Sequence, residues 1–356
     1  MREESMVAPK VSILWVNYNS SAFIDLVLES LQRIRELDYP NYELIAVDNG
    51  SIDGSYEFVR KFVEGMRNAK IIRLKKNAGF TGGNNVAYKA RDFRSKYVAL
   101  LNNDVVPHPE SLKKMVEIME GNMQLGGCQG IVLDYNSNVI DNAGWLICEL
   151  LGVYAVFNGK DPTVFKKPLY ITYADGSYSI YRVDALKKAM HCAYKIFDDQ
   201  MFAYYDDNIL GLELWNIGYK IASYPFIASR HRRSTSFKKT KTLQLYLILR
   251  GRIVTNSISN SKFKLLAKAS LLKGVLFNPF NIPKGKQLQS TLIKAYIDGK
   301  WISKIKKSYG EMIDLYKAPI ITFNIFKAIP AAIIPRRYVT SIIKDALESA
   351  IAKFTF

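Results

Sequence analysis

Four short apolar runs, each ending in a polar cluster, constrain this chain more tightly than any overall total. Val11-Ser-Ile-Leu-Trp-Val16 is β-branched and stops at Asn17-Tyr18-Asn19, as a buried strand meeting a loop does. Apolar residues then recur at helical spacing through Phe23, Leu26, Val27, Leu31 and Ile34. A second strand, Tyr42–Val47, ends in Asp48-Asn49-Gly50-Ser51, and Tyr56–Phe62 reads as a helix. Lys70–Leu74 gives a third strand, Asn84–Arg91 a helix, and Tyr97–Leu101 a fourth strand that stops at Asn102-Asn103-Asp104. Strand–helix alternation of this kind predicts an α/β domain with an open, mostly parallel sheet and helices on both faces. Ligands of such sheets bind beyond the carboxyl ends of the strands, which is where this sequence places its polar clusters.

The rest of the chain divides on charge. Its 356 residues can bury a full core, and the net charge of +18 asks for an anionic partner. From Ile227 onward there are 25 Lys/Arg and 5 Asp/Glu, a net of +20, which leaves −2 for residues 1–226. The expected organisation is a tail at 1–10, a catalytic-type domain at 11–241 and a basic helical region at 242–356. Helices are expected in that region at Leu243–Val254, Phe263–Leu276 and Leu288–Ile305, and another near Pro109–Met119 in the first domain. Cys128, Cys148 and Cys192 lie far apart without a CxxC pair, so no disulfide framework or zinc site is written and a reducing compartment fits. The first ten residues lack the apolar core of a signal peptide. The most apolar stretch, 318–335, contains Lys327 and Pro330 and reads as an interfacial or buried helix rather than a span.

Each polar cluster has two readings. Asp48 and the turn through Asp53 suit any strand-to-helix connection, and also suit a carboxylate that accepts hydrogen bonds from a nucleobase or ribose. The run Asn77-Ala-Gly-Phe-Thr-Gly-Gly-Asn-Asn85 is either a flexible loop or a backbone that approaches a ligand closely. It matches neither GxxxxGK[ST] nor GxGxxG. Asn102-Asn103-Asp104 is either a strand-end turn or a source of one hard oxygen ligand for Mg²⁺ or Mn²⁺, the other ligands being diphosphate, water and a second side chain. Asp206-Asp207 is a solvated acidic pair or, if partly buried, a general base with a raised pKa. His231, set among arginines, is a surface residue or the missing metal ligand.

In their order along residues 10–233, VSILWVNYNS, LIAVDNGSIDGS, NAGFTGGNNVA, YVALLNNDVVPHPESL, KIFDDQMFAYYDDNILGLELWNIGYKIASYP and His231 resemble a glycosyltransferase of family 2. Within that family they are most similar to the rhamnosyltransferase-like branch that builds cell-surface glycans. The resemblance implies a GT-A nucleotide-diphospho-sugar transferase fold and an inverting hexosyltransferase-type enzyme that uses a divalent cation, Mg²⁺ or Mn²⁺. It implies that Asn17, Tyr18, Asn19 and Asp48 hold the nucleoside and that Asn77, Gly79 and Asn84 line the nucleotide-sugar pocket. Asn102, Asn103 and Asp104 stand where the family has its DxD motif, with Asn102 in place of the first acid. Asp104 and His231 would hold the metal, and Asp207, beside Asp206, would take the proton of the acceptor hydroxyl. Ile209 and Glu213 depart from the family's pattern, which leaves a catalytically silent module that binds membrane or glycan as the alternative. There is no QxxRW sequence of the processive synthases.

The implied partners are a nucleotide-diphosphate sugar and a glycan or polyprenyl-linked acceptor. The basic region either covers the catalytic domain or lies on an anionic bilayer with lysines toward phosphates, which would place the protein peripherally on the cytoplasmic face of a membrane. Beyond charge, no motif supports a nucleic-acid partner.

Overall fold

The computed structural model describes residues 8–232, 241–276 and 285–356; residues 1–7 of the expected N-terminal tail lie outside them. The strands are β1 (Val11–Asn17), β2 (Tyr42–Asp48), β3 (Ala69–Arg73), β4 (Tyr97–Asn102), β5 (Val105–Pro107), β6 (Leu125–Asp134) and β7 (Ile140–Asn142). They continue with β8 (Trp145–Cys148), β9 (Val153–Ala155), β10 (Leu169–Tyr170), β11 (Tyr178–Arg182), β12 (Lys220–His231) and β13 (Ile320–Ile321). The helices of the first part are α1 (Ile24–Arg35), α2 (Ser55–Glu64), α3 (Gly79–Lys89), α4 (Ser111–Gly121), α5 (Val183–Ala189) and α6 (Asp206–Asn216). Those of the basic region are α7 (Lys241–Ile258), α8 (Lys264–Leu276), α9 (Lys286–Ser308), α10 (Ile325–Ile333) and α11 (Thr340–Phe354).

The main sheet runs β10-β12-β6-β11-β4-β1-β2-β3, with β5 paired to β12 and β7 to β6. Strands β3, β2, β1 and β4 are mutually parallel, β12 is parallel to β6, and β11 runs antiparallel between β4 and β6. The order reverses between β1 and β4, which makes a topological switch point at their carboxyl ends. Register sets the chemistry of that edge, because Asn17 pairs with Asp48 across β1 and β2 while Val16 pairs with Asn102 across β1 and β4.

The apolar runs are continuous because both faces of the sheet are covered. Val11, Ile13, Trp15, Leu44, Ala46, Tyr97, Ala99 and Leu101 pack on one side with Val27, Leu31 and Ile34 of α1, Val59 and Val63 of α2, and Leu112, Met115 and Met119 of α4. Alternate residues Leu14, Ile45, Val47, Val98 and Leu100 pack on the other with Tyr88 of α3, Leu186 of α5, and Leu210 and Leu214 of α6.

Helix α3 begins five residues earlier than the pattern predicts, so most of the glycine run is helical rather than a flexible loop. Thr81, Gly82 and Gly83 are buried, and a Cβ on Gly83 would lie 2.9 Å from Val16 Cγ1. The glycines therefore let the first turns of α3 sit against the end of β1.

The basic helices share a core with the first part of the chain. Val254 and Ile258 of α7, Ala267 of α8 and Ile302 of α9 join Tyr173, Met201, Tyr205, Ile209 and Leu212 in one cluster. Buried Glu149 accepts from Phe323 N at 2.7 Å and pairs with Lys262 Nζ at 2.9 Å. Phe356 stacks on Tyr170 with ring centroids 4.1 Å apart, so the end of the chain is fastened to the sheet edge. Among the described residues, no helix is long and apolar enough to cross a membrane.

Candidate active site

Buried amides organise the ends of β1, β2 and β4. Asn17 is fully buried and donates from Nδ2 to Asp48 Oδ1 at 3.0 Å, while its Oδ1 accepts from Asn103 Nδ2 at 3.1 Å. Asp48 is equally buried, and its Oδ2 accepts from Ser51 N at 3.0 Å. Of the four residues expected to hold a nucleoside, these two thus fix the frame, and the more open pair is Tyr18, 36% exposed, and Asn19. Asn19 has φ +46 and accepts from Ile52 N, which ties the β1 loop to the β2 turn. Asp53 accepts from Ser55 N in its own turn and from Ser21 N in the segment after β1, so its carboxylate is taken up in joining the two.

Asn49, which the sequence pattern passed over, fastens the next segment. Its Nδ2 donates to Asn77 Oδ1 at 3.0 Å and Gly79 O at 2.9 Å, and its Oδ1 accepts from Ala78 N at 2.9 Å. Gly79 has φ +78, and a Cβ there would overlap the carbonyl oxygen of Phe202. Asn84 donates to Phe80 O within its own helix, whereas the neighbouring Asn85 donates to Phe197 O and accepts from the Ile196 and Phe197 amides. Helix α3 is thereby bound to the segment that precedes Asp206-Asp207. Gly79→Ala should lose at least about 1–2 kcal/mol from the left-handed backbone alone, with the overlap added to it. A denaturant midpoint that does not move would contradict this close approach.

The Asn102-Asn103-Asp104 run stands at the switch point. Asn102 N donates to Ser177 O at 2.9 Å, and Asn102 is only partly buried. Asp104 is 7% exposed, and the pairing of β5 with β12 sets Val105 opposite His231. That register brings Asp104 Oδ1 to 3.4 Å from His231 Nε2, although the two residues are far apart in sequence. On the other side of the ring, His231 Nδ1 lies 3.3 Å from Asp141 Oδ2. Burial alone would lower the imidazole pKa, but hydrogen bonds to Asp104 and Asp141 and the charges of Asp104 and Asp175 push it up to about 10. The site is thus built to hold positive charge between carboxylates. Asp141 is a residue that the sequence pattern missed, since IDNAG reads as an ordinary turn.

Asp206 and Asp207 begin α6 after a strained approach, with Phe202, Tyr204 and Tyr205 all at positive φ. Side chains from α7 hold this approach. Gln244 Nε2 donates to Tyr204 Oη at 2.7 Å, Arg250 donates to Met201 O, and Gly251 lies under Tyr205, where a Cβ would be 2.7 Å from Tyr205 Cβ. Asp206 is 5% exposed, and burial pushes its carboxyl up to about 7 despite the nearby Arg250 charge. Asp207 remains partly open. Burial, Asp206 and Asp175 together raise it well above the ordinary carboxylate range.

The two halves of the site meet across the turn Asp175-Gly176-Ser177. Ser177 O accepts from Asn102 N, while Gly176 lies beside Asp207, with 3.7 Å between a Cβ placed on it and Asp207 Oδ2. Asp175 is held by Trp145 Nε1 at 2.7 Å and Ser177 N at 2.8 Å. Glu213, about two turns further along α6, is raised to about 7 by burial, and Lys306 of α9 partly offsets that. Lys306 itself is paired with Asp198 at 2.9 Å and Glu311 at 2.6 Å.

Among the described residues, no group of three or more His, Cys, Asp or Glu side chains is gathered into a metal cage. Asp104, in the turn before β5, and His231, at the end of the paired β12, offer one hard oxygen and one imidazole nitrogen, which suits a cation that takes its other ligands from phosphate and water.

Residues 12–190 match the family model described as glycosyl transferase family 2. An uncharacterized glycosyltransferase of Haemophilus influenzae is 31% identical over 114 residues, which is 32% of this chain and 34% of that protein. The chain therefore spans about a third of the length of that curated relative. Among solved structures, S. aureus TarS 1-349 in complex with UDP-GlcNAc superposes with TM-score 0.53 and 16% identity over 97% of this chain and 91% of that one. A mannosyltransferase of Pyrobaculum calidifontis in complex with GDP-Man and Mn²⁺ gives TM-score 0.51 and 17% identity over 98% and 87%. At these identities the structural likeness establishes the fold, that of the GT-A glycosyltransferases.

Proposed function

The chain belongs to glycosyl transferase family 2, and from that premise we propose that it is an inverting transferase. It moves a sugar from a nucleoside-diphosphate donor to a hydroxyl of a glycan or polyprenyl-linked acceptor. The observation that carries this reading is the placement of a raised-pKa carboxylate, Asp207, across a three-residue turn from the Asn102–Asp104 run and His231.

In this reading Tyr18 and Asn19 contact the nucleoside over the frame set by Asn17 and Asp48. Asn77, Gly79 and Asn84 shape the wall between donor and acceptor, and Asn102 and Asn103 border the diphosphate. Asp104 and His231 would hold Mg²⁺ or Mn²⁺, the imidazole giving up to solvent the proton it otherwise shares with the two carboxylates, and Asp141 would orient the ring. The metal, when bound, supplies positive charge to the departing diphosphate. Asp207 takes the proton of the acceptor hydroxyl while the oxygen bonds to the anomeric carbon. The carbon–oxygen bond to the diphosphate breaks with its electron pair leaving on phosphate, so the configuration inverts. Asp206 keeps Asp207 basic through like charge.

The rhamnosyltransferase-like branch belongs to the same proposal and is supported by the order of the motifs alone. The separated cysteines and the basic C-terminal region support a peripheral placement on the cytoplasmic face of a membrane.

The pH dependence follows from the acidic pair. Asp207 works only when ionised, and its carboxyl is raised well above the ordinary carboxylate range, so the acid limb of kcat/KM should lie well above pH 4. Asp206→Asn removes a neighbouring negative charge, lowers the Asp207 pKa and should move that limb to lower pH. Burial of Asp206 also lets the folded chain keep a proton that the unfolded chain loses between its ordinary pKa, 3.8, and about 7, so folding stability falls as pH rises through that window. Asp206→Asn should accordingly raise Tm at pH above 7 and change it little below 4. An acid limb at the same pH in both proteins would exclude the coupling.

The donor reading is tested by a thermal-shift screen of nucleotide-sugars with and without Mn²⁺. One donor should raise Tm in the presence of the metal, by mass action on the folded state. A flat response to every nucleotide-sugar would leave the silent module as the better account.

A further inference from the structure

Helix α10 has its bulky and small residues on the opposite sides from those of an ordinary surface helix. Ala328, Ala331 and Ala332 face inward, 0, 5 and 0% exposed, and belong to the main core cluster. Ile325, Phe326, Ile329 and Ile333 face outward and are 47, 83, 42 and 54% exposed. A helix stabilised only by packing on its own domain would bury its large apolar side chains and present charge to water. The helix is nonetheless firmly started, since Asn324 accepts from Lys327 N at 2.9 Å. Its outward face is therefore a contiguous apolar patch on an ordered element, the kind of surface that marks a binding site.

The surrounding charge selects the occupant. From Leu315 through Lys344 the chain carries Lys317, Lys327, Arg336, Arg337 and Lys344 and no Asp or Glu. Lys327 is exposed at the start of the helix, and Arg337 lies over the ring of Tyr338, itself 66% exposed, at 4.7 Å. An apolar ridge that carries exposed Lys327 and is followed by an aromatic–arginine pair, in a segment of net positive charge, complements a surface of anionic headgroups above acyl chains. Asp345 lines the hollow beside Lys327, but Lys327 and Lys353 outnumber it there, and a net-basic border would repel its own copy in a symmetric dimer.

We infer that α10 is a membrane-docking helix that lies in the plane of an anionic bilayer, with Phe326, Ile325, Ile329 and Ile333 in the acyl boundary and Lys327 and Arg337 on lipid phosphates. This deepens the peripheral placement above and rests on it, but it assigns the contact to one helix face rather than to the basic region as a whole. Docking here would hold the catalytic domain beside a lipid-linked acceptor.

The test is co-sedimentation of the full chain with vesicles, in the absence of any donor or acceptor. Wild type should bind vesicles of equimolar phosphatidylcholine and phosphatidylglycerol and bind phosphatidylcholine alone at least about tenfold more weakly. Phe326→Asp with Ile329→Asp should lose at least about tenfold in binding to the anionic vesicles. Both positions are exposed, so Tm and nucleotide-sugar binding should stay at the wild-type values. Wild-type sedimentation by the double variant would overturn the assignment. So would a wild-type dimer in light scattering that the variant converts to monomer, because a second copy would then cover the face. Vesicle binding is read without turnover, so a failure of the transferase reading leaves this result interpretable, and the reverse holds.

Discussion

Asp207→Asn is expected to reduce the turnover number by at least about a thousandfold, within the range that positioned general bases contribute, while donor affinity stays within about twofold of wild type. The amide has nearly the same shape and can still accept from Asn208 N through its oxygen, as Asp207 Oδ1 does at 2.9 Å. The fold at the start of α6 should therefore survive. What is lost is the ability to take a proton. Replacing a carboxylate that burial, Asp206 and Asp175 all destabilise should also leave the protein no less stable. A split between intact binding and absent turnover separates a base from a structural residue, whose loss would lower both. Equal turnover in the two proteins would remove Asp207 from the mechanism.

The second large effect is expected at Asp104. Its carboxylate is the acidic member of the Asn102-Asn103-Asp104 run, and it meets His231 across the β5–β12 pairing at 3.4 Å. Asp104→Ala should weaken nucleotide-sugar binding in Mn²⁺ by about tenfold to a hundredfold, on the scale of losing a metal-site partner. Binding measured in EDTA should be the same for both proteins. Tyr18, Asn19 and the Asn17–Asp48 frame are untouched, so nucleoside contacts remain and the residual affinity is what they supply. Wild-type binding that is indifferent to EDTA would remove the metal from the account.

Much of the fold could be read because its information is local. The β1, β2 and β4 runs are apolar throughout, and both sheet faces prove to be covered. Helix α3 was the main departure at the strand edge. Glycine carries a poor helical propensity, so a run with Gly79, Gly82 and Gly83 reads as loop, whereas the close contact of Gly83 with Val16 that requires it is a tertiary fact. The site residues divide in the same way. Asp104 and His231 were legible through a family pattern, but the strand register that joins them is not visible in either segment. Asn49 follows β2, Asn85 lies in the middle of α3 and Asp141 on β7, all in segments rich in Asn and Asp, where their composition is ordinary and only their long-range partners distinguish them.

The basic region illustrates the limit from another direction. Its helical periodicity and charge were evident, and helices occur at 241–258, 264–276 and 286–308. Its attachment to the approach to α6, through Gln244, Arg250 and Gly251, depends on side chains whose partners lie about 40 to 50 positions earlier. The outward face of α10 was hidden for a related reason. Apart from Lys327 and Pro330 the helix is Ile, Phe and Ala, and only packing decides that the alanines go in.

The central claim is that this chain turns over a nucleotide-sugar using Asp207 as base. It is tested most directly by supplying purified protein with each nucleotide-sugar and Mn²⁺ and measuring release of the nucleoside diphosphate. Release from one donor, suppressed by EDTA and at least about a thousandfold slower in Asp207→Asn, is the predicted result. Release that proceeds equally in the variant would contradict it, as would a donor that binds with the metal and is never turned over in the presence of glycan or polyprenyl-linked acceptors.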